Sequence, residues 1–191
     1  MKLNSGKSYM STGYQIYDQT KTYYFTFQIV EWVDIFSRKE YRDIIINSIN
    51  HCRKEKGLEI WAYVIMTNHI HIILSSKVGK LSDTIRDFKS YSSKKILESI
   101  KMKGESRREW MLQIFSKEAE KRKRKSEYQL WTHENHAIEI TSQKFLKQKM
   151  AYIHLNPVRS GLVEKAEDWV YSSQRNYSGL ESILEIDLVD V

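Results

Sequence analysis

Two apolar, β-rich runs stand almost back to back in this chain, "LEIWAYVIM" (58–66) and "HIHIILSS" (69–76), with only Thr67 and Asn68 between them. So short a connection reverses the chain, because parallel neighbours need a crossover of a dozen residues or more. The centre is therefore expected to be an antiparallel hairpin, although its loop lacks the favoured Asn-Gly chemistry.

The flanking segments alternate in period. "YYFTFQIVEW" (23–32) is aromatic and β-branched and reads as a first strand. In "SRKEYRDIIINSINHCRKEKG", Ser37 and Glu40 are spaced as a capping box. Tyr41, Ile44, Ile45, Ile49 and Cys52 form one stripe, and Gly57 stops the helix. A second helix is predicted from about Ser82 to Ile100, with Leu81, Ile85, Phe88, Ile96 and Ile100 inward. "YQLWTHENHAIEI" (128–140) reads as one more short strand with a turn. Thr141 or Ser142 can cap a third helix that runs to about Asn156, where Pro157, the only proline, ends it. The order β-α-β-β-α-β plus a further helix predicts an α+β chain with a ferredoxin-like antiparallel core.

A length of 191 residues suits one domain with a proper core and no need of disulfide or metal staples. We expect a single domain: a core of about 23–160, a charged insertion at about 101–127 read as helical or mobile, and a tail at about 164–191. The lone Cys52 excludes an internal disulfide framework and a Cys-rich zinc module. The first twenty residues lack the apolar core of a secretory signal, and no apolar run approaches bilayer-spanning length. A cytoplasmic protein is the expectation.

The formal net charge is +7, unevenly spread. Lys77 to Glu127 holds 16 Lys and Arg against 8 Asp and Glu, whereas Glu164 to Val191 holds 2 against 7. A basic segment in a chain that is 12% aromatic suggests a nucleic-acid partner, although basic runs are often only solvated faces.

Alternation along a strand sends His69 and His71 to the same face with Cα atoms roughly 6.6 Å apart, a spacing at which two imidazoles can hold one metal ion. Ile70, Ile72 and Leu74 then face the core. In "KQKMAYIHLNPVRSGLV" (147–163), helical spacing sets Tyr152 beside Asn156 and Gln148, while Leu146, Met150 and Ile153 form a separate apolar stripe. On spacing alone, hydrogen-bonded core histidines and a half-buried tyrosine explain these residues as well.

Together, the histidine-hydrophobic-histidine strand, "YIHLNPVRSGLV" and the later "WVYSSQRNY" resemble the REP-associated tyrosine transposases, small HUH endonucleases with one catalytic tyrosine. The resemblance runs from about Tyr23 to Tyr177. Thr67 departs from it, standing where many relatives have proline, and the insertion at 101–127 looks long. It implies that His69 and His71 are metal ligands, that Asn156 is the third, and that Tyr152 is the nucleophile. The implied cofactor is Mg²⁺ or Mn²⁺, which orients a scissile phosphate and neutralises its developing charge. The implied reaction is transesterification of single-stranded DNA, by which Tyr152 joins the 5′ phosphate and a 3′ hydroxyl leaves. The implied partner is single-stranded or hairpin DNA, with monomer and homodimer both open.

Other residues compete. Lys89, Lys94, Lys95, Arg159 and the "KRKRK" run are candidates for phosphate contacts. His133, Glu134 and His136 could form a second metal site, and Tyr91 is a rival nucleophile. His154, two residues from Tyr152, points to another side of the helix. A non-catalytic ferredoxin-like binding module, with Tyr23, Phe25 and Phe27 stacking on bases, is the alternative function, and a purely structural metal site is a third.

Overall fold

The computed structural model describes residues 15–190 apart from 103, 124, 125 and 134. Strand β1 (Tyr23–Gln28) pairs antiparallel with β3 (His69–Ser76), in a register from Tyr23 opposite Leu74 to Gln28 opposite His69. Strand β2 (Leu58–Ile65) lies on the other side of β3, and the two-residue β4 (Ile138–Glu139) pairs with β1. The resulting order, β2-β3-β1-β4 with every pairing antiparallel, is that of the ferredoxin-like arrangement.

Alternation along β1 divides the molecule into layers. Tyr23, Phe25 and Phe27 join Ile70, Ile72 and Leu74 of β3 on one face, under helices α1 (Lys39–Lys56) and α2 (Leu81–Lys101). These three aromatics are at most 2% exposed, which removes them as a base-stacking platform and takes the basis from the binding-module alternative. The opposite face carries Tyr24, Val64 and Ile73 beneath Met150 and Ile153 of a helix that we number α4 (Gln143–Arg159). A register slip between Ile60 and Ala62 in β2 turns Ala62 and Val64 to that second face.

Several local expectations are corrected. Helix α1 begins at Lys39 without a capping box, because the Ser37 hydroxyl donates backward to the Asp34 carbonyl at 2.7 Å. Its other end is as expected: Gly57 adopts φ 63°, a left-handed value suited to glycine, and its N–H returns to the Cys52 carbonyl. The strand read at 128–140 reduces to Ile138–Glu139 and a bridge of Trp131 to Ile29, because Thr132 and Asn135 meet β1 only through single hydrogen bonds to Gln28 and Thr26. Pro157 does not end α4. It sits in the last turn, and the ladder resumes as Ser160 N–H donates to Asn156 and Leu162 N–H to Pro157 itself.

The charged insertion contains helix α3 (Arg108–Lys121), whose Met111 and Phe115 enter the core. Buried Glu105, just before it, accepts from the Tyr41 hydroxyl at 2.8 Å and pairs with Arg38 at 3.1 Å and Arg107 at 3.4 Å. The acidic tail returns along β2. Ser173 N–H donates to the Tyr63 carbonyl and Asp187 N–H to that of Ile60, while Arg53 pairs with Glu185 and Asp187. The free edge of β2 is thereby covered. Among the described residues no helix is long and apolar enough to cross a membrane.

Candidate active site

Strand parity gives the site its floor. With Ile70 and Ile72 committed to the α1–α2 core, His69 and His71 stand on the α4 face, with ring centroids 4.6 Å apart and planes at 68°. Each ring is held through Nδ1. That of His71 lies 2.7 Å from the Tyr24 hydroxyl and 3.0 Å from the hydroxyl of Thr26, its cross-strand partner. That of His69 lies 2.7 Å from Oδ1 of Asn68. This leaves Nε2 of each imidazole available, the usual division for metal-binding histidines.

Burial holds both rings neutral. Loss of solvent lowers His69 to about 4, and lowers His71 to about 3 with smaller contributions from His69 and the Lys149 charge. Neutral imidazoles are the form that can donate a lone pair to a metal. Desolvation also raises the Tyr24 hydroxyl to about 12, which keeps it protonated beside His71.

Helix α4 supplies the roof. Ser142 caps it by accepting from the Phe145 N–H at 3.2 Å, and buried Met150 and Ile153 fix its rotation on the sheet. That rotation leaves Tyr152 39% exposed, with its ring 5.2 Å from that of His71 and 6.5 Å from that of Tyr24. The Arg159 guanidinium lies 5.7 Å from the Tyr152 ring, and the Lys149 ammonium 4.4 Å from that of Tyr24. His154 points away, buried, with Nε2 2.8 Å from the Ser173 hydroxyl.

The structure thus brings together His69, His71 and Tyr152, from elements about eighty residues apart. Asn156 is buried one turn after Tyr152, but the hydrogen bond that reaches its Oδ1 comes from the Ser160 hydroxyl, at 3.5 Å. Among the described residues, no group of three or more His, Cys, Asp or Glu could hold a metal, so an ion held at the two histidines would need any third protein donor to be of another kind. The carboxamide of Asn156 suits that need, and two neutral imidazoles with one amide oxygen fit a divalent ion.

Of the basic candidates only Arg159 lies at this site. Lys89 and Lys94 line a groove of about 1140 Å³ between α2 and residues 126–135, together with Arg86, Lys101, Tyr128 and Trp131. The Lys89 ammonium is also internal bracing, 2.8 Å from the Thr132 carbonyl and 2.7 Å from Oδ1 of Asn135. Lys95 pairs with Glu98 at 3.0 Å. The rival Tyr91 is exposed on α2, across the sheet from the histidines. Of the second metal set, Glu134 lies outside the described residues, as do Arg124 and Lys125 of the basic run.

Sequence reasoning missed Tyr24, Thr26 and Asn68. A signal existed for the first two: they alternate with the core aromatics of β1 and so belong to the histidine face. Only the β1–β3 register identifies which histidine they meet.

Comparison with known proteins agrees with this architecture. The sequence profile of the family described as "Transposase IS200 like" matches residues 21–156, well over half of the chain. None of the curated proteins matches it in sequence. Among solved structures, a REP-associated tyrosine transposase bound to a REP hairpin superposes with a TM-score of 0.59 at 20% identity, over 95% of each chain. A protein from Deinococcus radiodurans, described as a candidate transposase, matches at 15% identity over 79% of this chain and 95% of its own, and at a TM-score of 0.42 that likeness carries no argument. The chain belongs to the IS200-like transposase family and has the fold of a REP-associated tyrosine transposase.

Proposed function

We propose that this chain nicks and rejoins single-stranded DNA at hairpin-forming repeats or element ends, with Tyr152 as the nucleophile and His69, His71 and Asn156 as the ligands of Mg²⁺ or Mn²⁺. The observation that carries the reading is the approach of the Tyr152 ring to 5.2 Å from His71, on the sheet face that also holds His69. Held by His69, His71 and Asn156, a divalent ion would supply charge neutralisation at the phosphate oxygens.

The protein's own groups do the rest. Tyr24 and Thr26 hold the His71 ring through Nδ1, and Asn68 holds that of His69, so the two Nε2 atoms are fixed before any ion arrives. The Tyr152 oxygen attacks the scissile phosphorus. One P–O bond forms to Tyr152 as the bond to the 3′ oxygen breaks, and the phenolic proton passes through solvent to the departing 3′ oxygen, which leaves as a hydroxyl. The 5′ phosphotyrosine keeps the energy of the broken diester, so attack by a second 3′ hydroxyl reseals a strand without ATP. Arg159 and Lys149 set positive charge beside the ring pair where the phosphate would sit.

The hairpin-bound state of the similar solved structure supports a hairpin DNA partner. The groove lined by Arg86, Lys94 and Lys101, with Tyr128 and Trp131, has the composition of a surface for the remaining DNA backbone. The test is incubation of the protein and Mn²⁺ with single-stranded hairpin oligonucleotides built from the flanking genomic repeats. A protein–DNA band that survives denaturation is expected for wild type, and its loss in His69→Ala and His71→Ala. A band that persists in both variants would refute the assignment of the histidines.

A further inference from the structure

Between β1 and α1 the chain makes a turn at Val30–Trp32 in which two successive non-glycine residues have positive φ, Glu31 at 51° and Trp32 at 54°. A bulky aromatic residue avoids that region, so the surrounding structure must impose it. The cause is visible on both sides. Ile29, Val30, Val33 and Ile35 are all at most 3% exposed, so the chain is fixed in the core before and after the turn. Glu31 and Trp32 are turned outward between these anchors, and Trp32 is left 58% exposed.

The exposed ring is not randomly placed. Its centroid lies 6.0 Å from that of His69, with the planes at 81°. Asn68 ties the two residues together: its Nδ2 donates to the Trp32 carbonyl at 3.3 Å, while its Oδ1 lies 2.7 Å from Nδ1 of His69. On the other side, Glu31 is held to α3 by the Lys121 ammonium at 3.3 Å. A large apolar face is thus kept in water, at fixed position, beside one of the proposed metal ligands. A ring that served only to brace His69 would gain more by burial against it.

We propose that Trp32 is a nucleobase-stacking subsite, which takes the π-face of an unstacked base next to the scissile phosphate of single-stranded DNA. The inference rests on the strand-cleavage reading and adds a residue that positions substrate. Stacking is tolerant of base identity, because every base has a π-face, and indole offers the largest partner surface among the side chains. The subsite would hold the strand in register while the phosphate lies between Tyr152 and the histidines.

The test is a double-substitution cycle. An oligonucleotide hairpin that the protein binds is compared with versions carrying an abasic residue at each position around the cleavage point in turn. Affinity is read by fluorescence anisotropy in the Tyr152→Phe background, and adduct formation is followed in parallel with Tyr152 present. With Trp32 intact, one abasic position should weaken binding on the order of ten-fold. In Trp32→Ala that penalty should vanish, and in Trp32→Phe it should largely return. A loss in Trp32→Ala that is equal for every oligonucleotide would mean that the ring only braces His69, and would overturn the subsite. So would an unchanged abasic penalty, or no binding of single-stranded DNA at all. An abasic penalty that depends on Trp32, without any adduct, would instead leave the subsite standing and remove the cleavage reading.

Discussion

The Tyr24 hydroxyl lies 2.7 Å from Nδ1 of His71, and the two rings stack at 5.6 Å and 22°. Strand β1 thereby supports the floor of the site as well as the core: its odd-numbered aromatics fill the α1–α2 face, and its even-numbered residues orient a proposed metal ligand.

Tyr24→Phe keeps the ring and removes the hydroxyl, so the expected defect is confined to the imidazole it orients. Removing such an outer partner lowers metal affinity by about ten- to a hundred-fold. Calorimetric titration with Mn²⁺ checks this on the protein alone, and circular dichroism checks that the fold persists. Unchanged affinity would show that Thr26 suffices to hold His71.

Glu105 is a buried carboxylate at the start of the insertion. Burial pushes its pKa up, but the Arg107 backbone N–H, the Tyr41 hydroxyl and the Arg107 charge outweigh that and leave it below the usual carboxylate range. Glu105→Ala would leave the buried Tyr41 hydroxyl without its acceptor and remove one carboxylate from Arg38 and Arg107, the latter still paired with Asp34 at 3.0 Å, at a cost of about 3 kcal/mol. Calorimetry should show Tm lower by roughly 6 to 12 °C. A change of a degree or less would show that α3 docks through Met111 and Phe115 alone.

Glu31→Gly should raise stability. The left-handed conformation costs a non-glycine residue about 1–2 kcal/mol, and the Lys121 pair that is lost is largely exposed. After the entropy cost of glycine, a gain of about 0.5–1 kcal/mol remains. Thermal unfolding measures it, and a fall in Tm would contradict the assigned strain.

The pH dependence of metal-free protein has a definite sign. Burial lowers His154 to about 4, and likewise His69 to about 4 and His71 to about 3, whereas the unfolded chain protonates histidine near 6.5. Between those values the unfolded state binds more protons, so stability should fall as pH drops from 6.5 toward 4. Denaturant unfolding at several pH values checks this. His154→Gln, which can still reach Ser173, should flatten the slope, and an equal slope in that variant would contradict the prediction.

Much of this was legible in the sequence, for local reasons. The α1 stripe with Gly57, the inward set of α2 and the split of α4 between Met150, Ile153 and Tyr152 follow from helical period. The shared face of His69 and His71 follows from strand parity. What was hidden depends on contacts distant in the chain. Tyr24 meets His71 only once β1 and β3 are in register. The positive φ values of Glu31 and Trp32 have no local signature, because the buried residues on either side impose them. Pro157 misled because a helix tolerates one missing N–H in its last turn when later donors restore the ladder.

On the proposed mechanism Tyr152 becomes covalently joined to DNA. Wild type and Tyr152→Phe, each with Mn²⁺ and a cleavable hairpin oligonucleotide, are to be digested and analysed by mass spectrometry for a nucleotide-modified peptide. A 5′ phosphotyrosine is expected on the peptide that contains Tyr152 in wild type, and no modified peptide in the variant. An adduct on Tyr91 or Tyr24, or one that survives Tyr152→Phe, would contradict it.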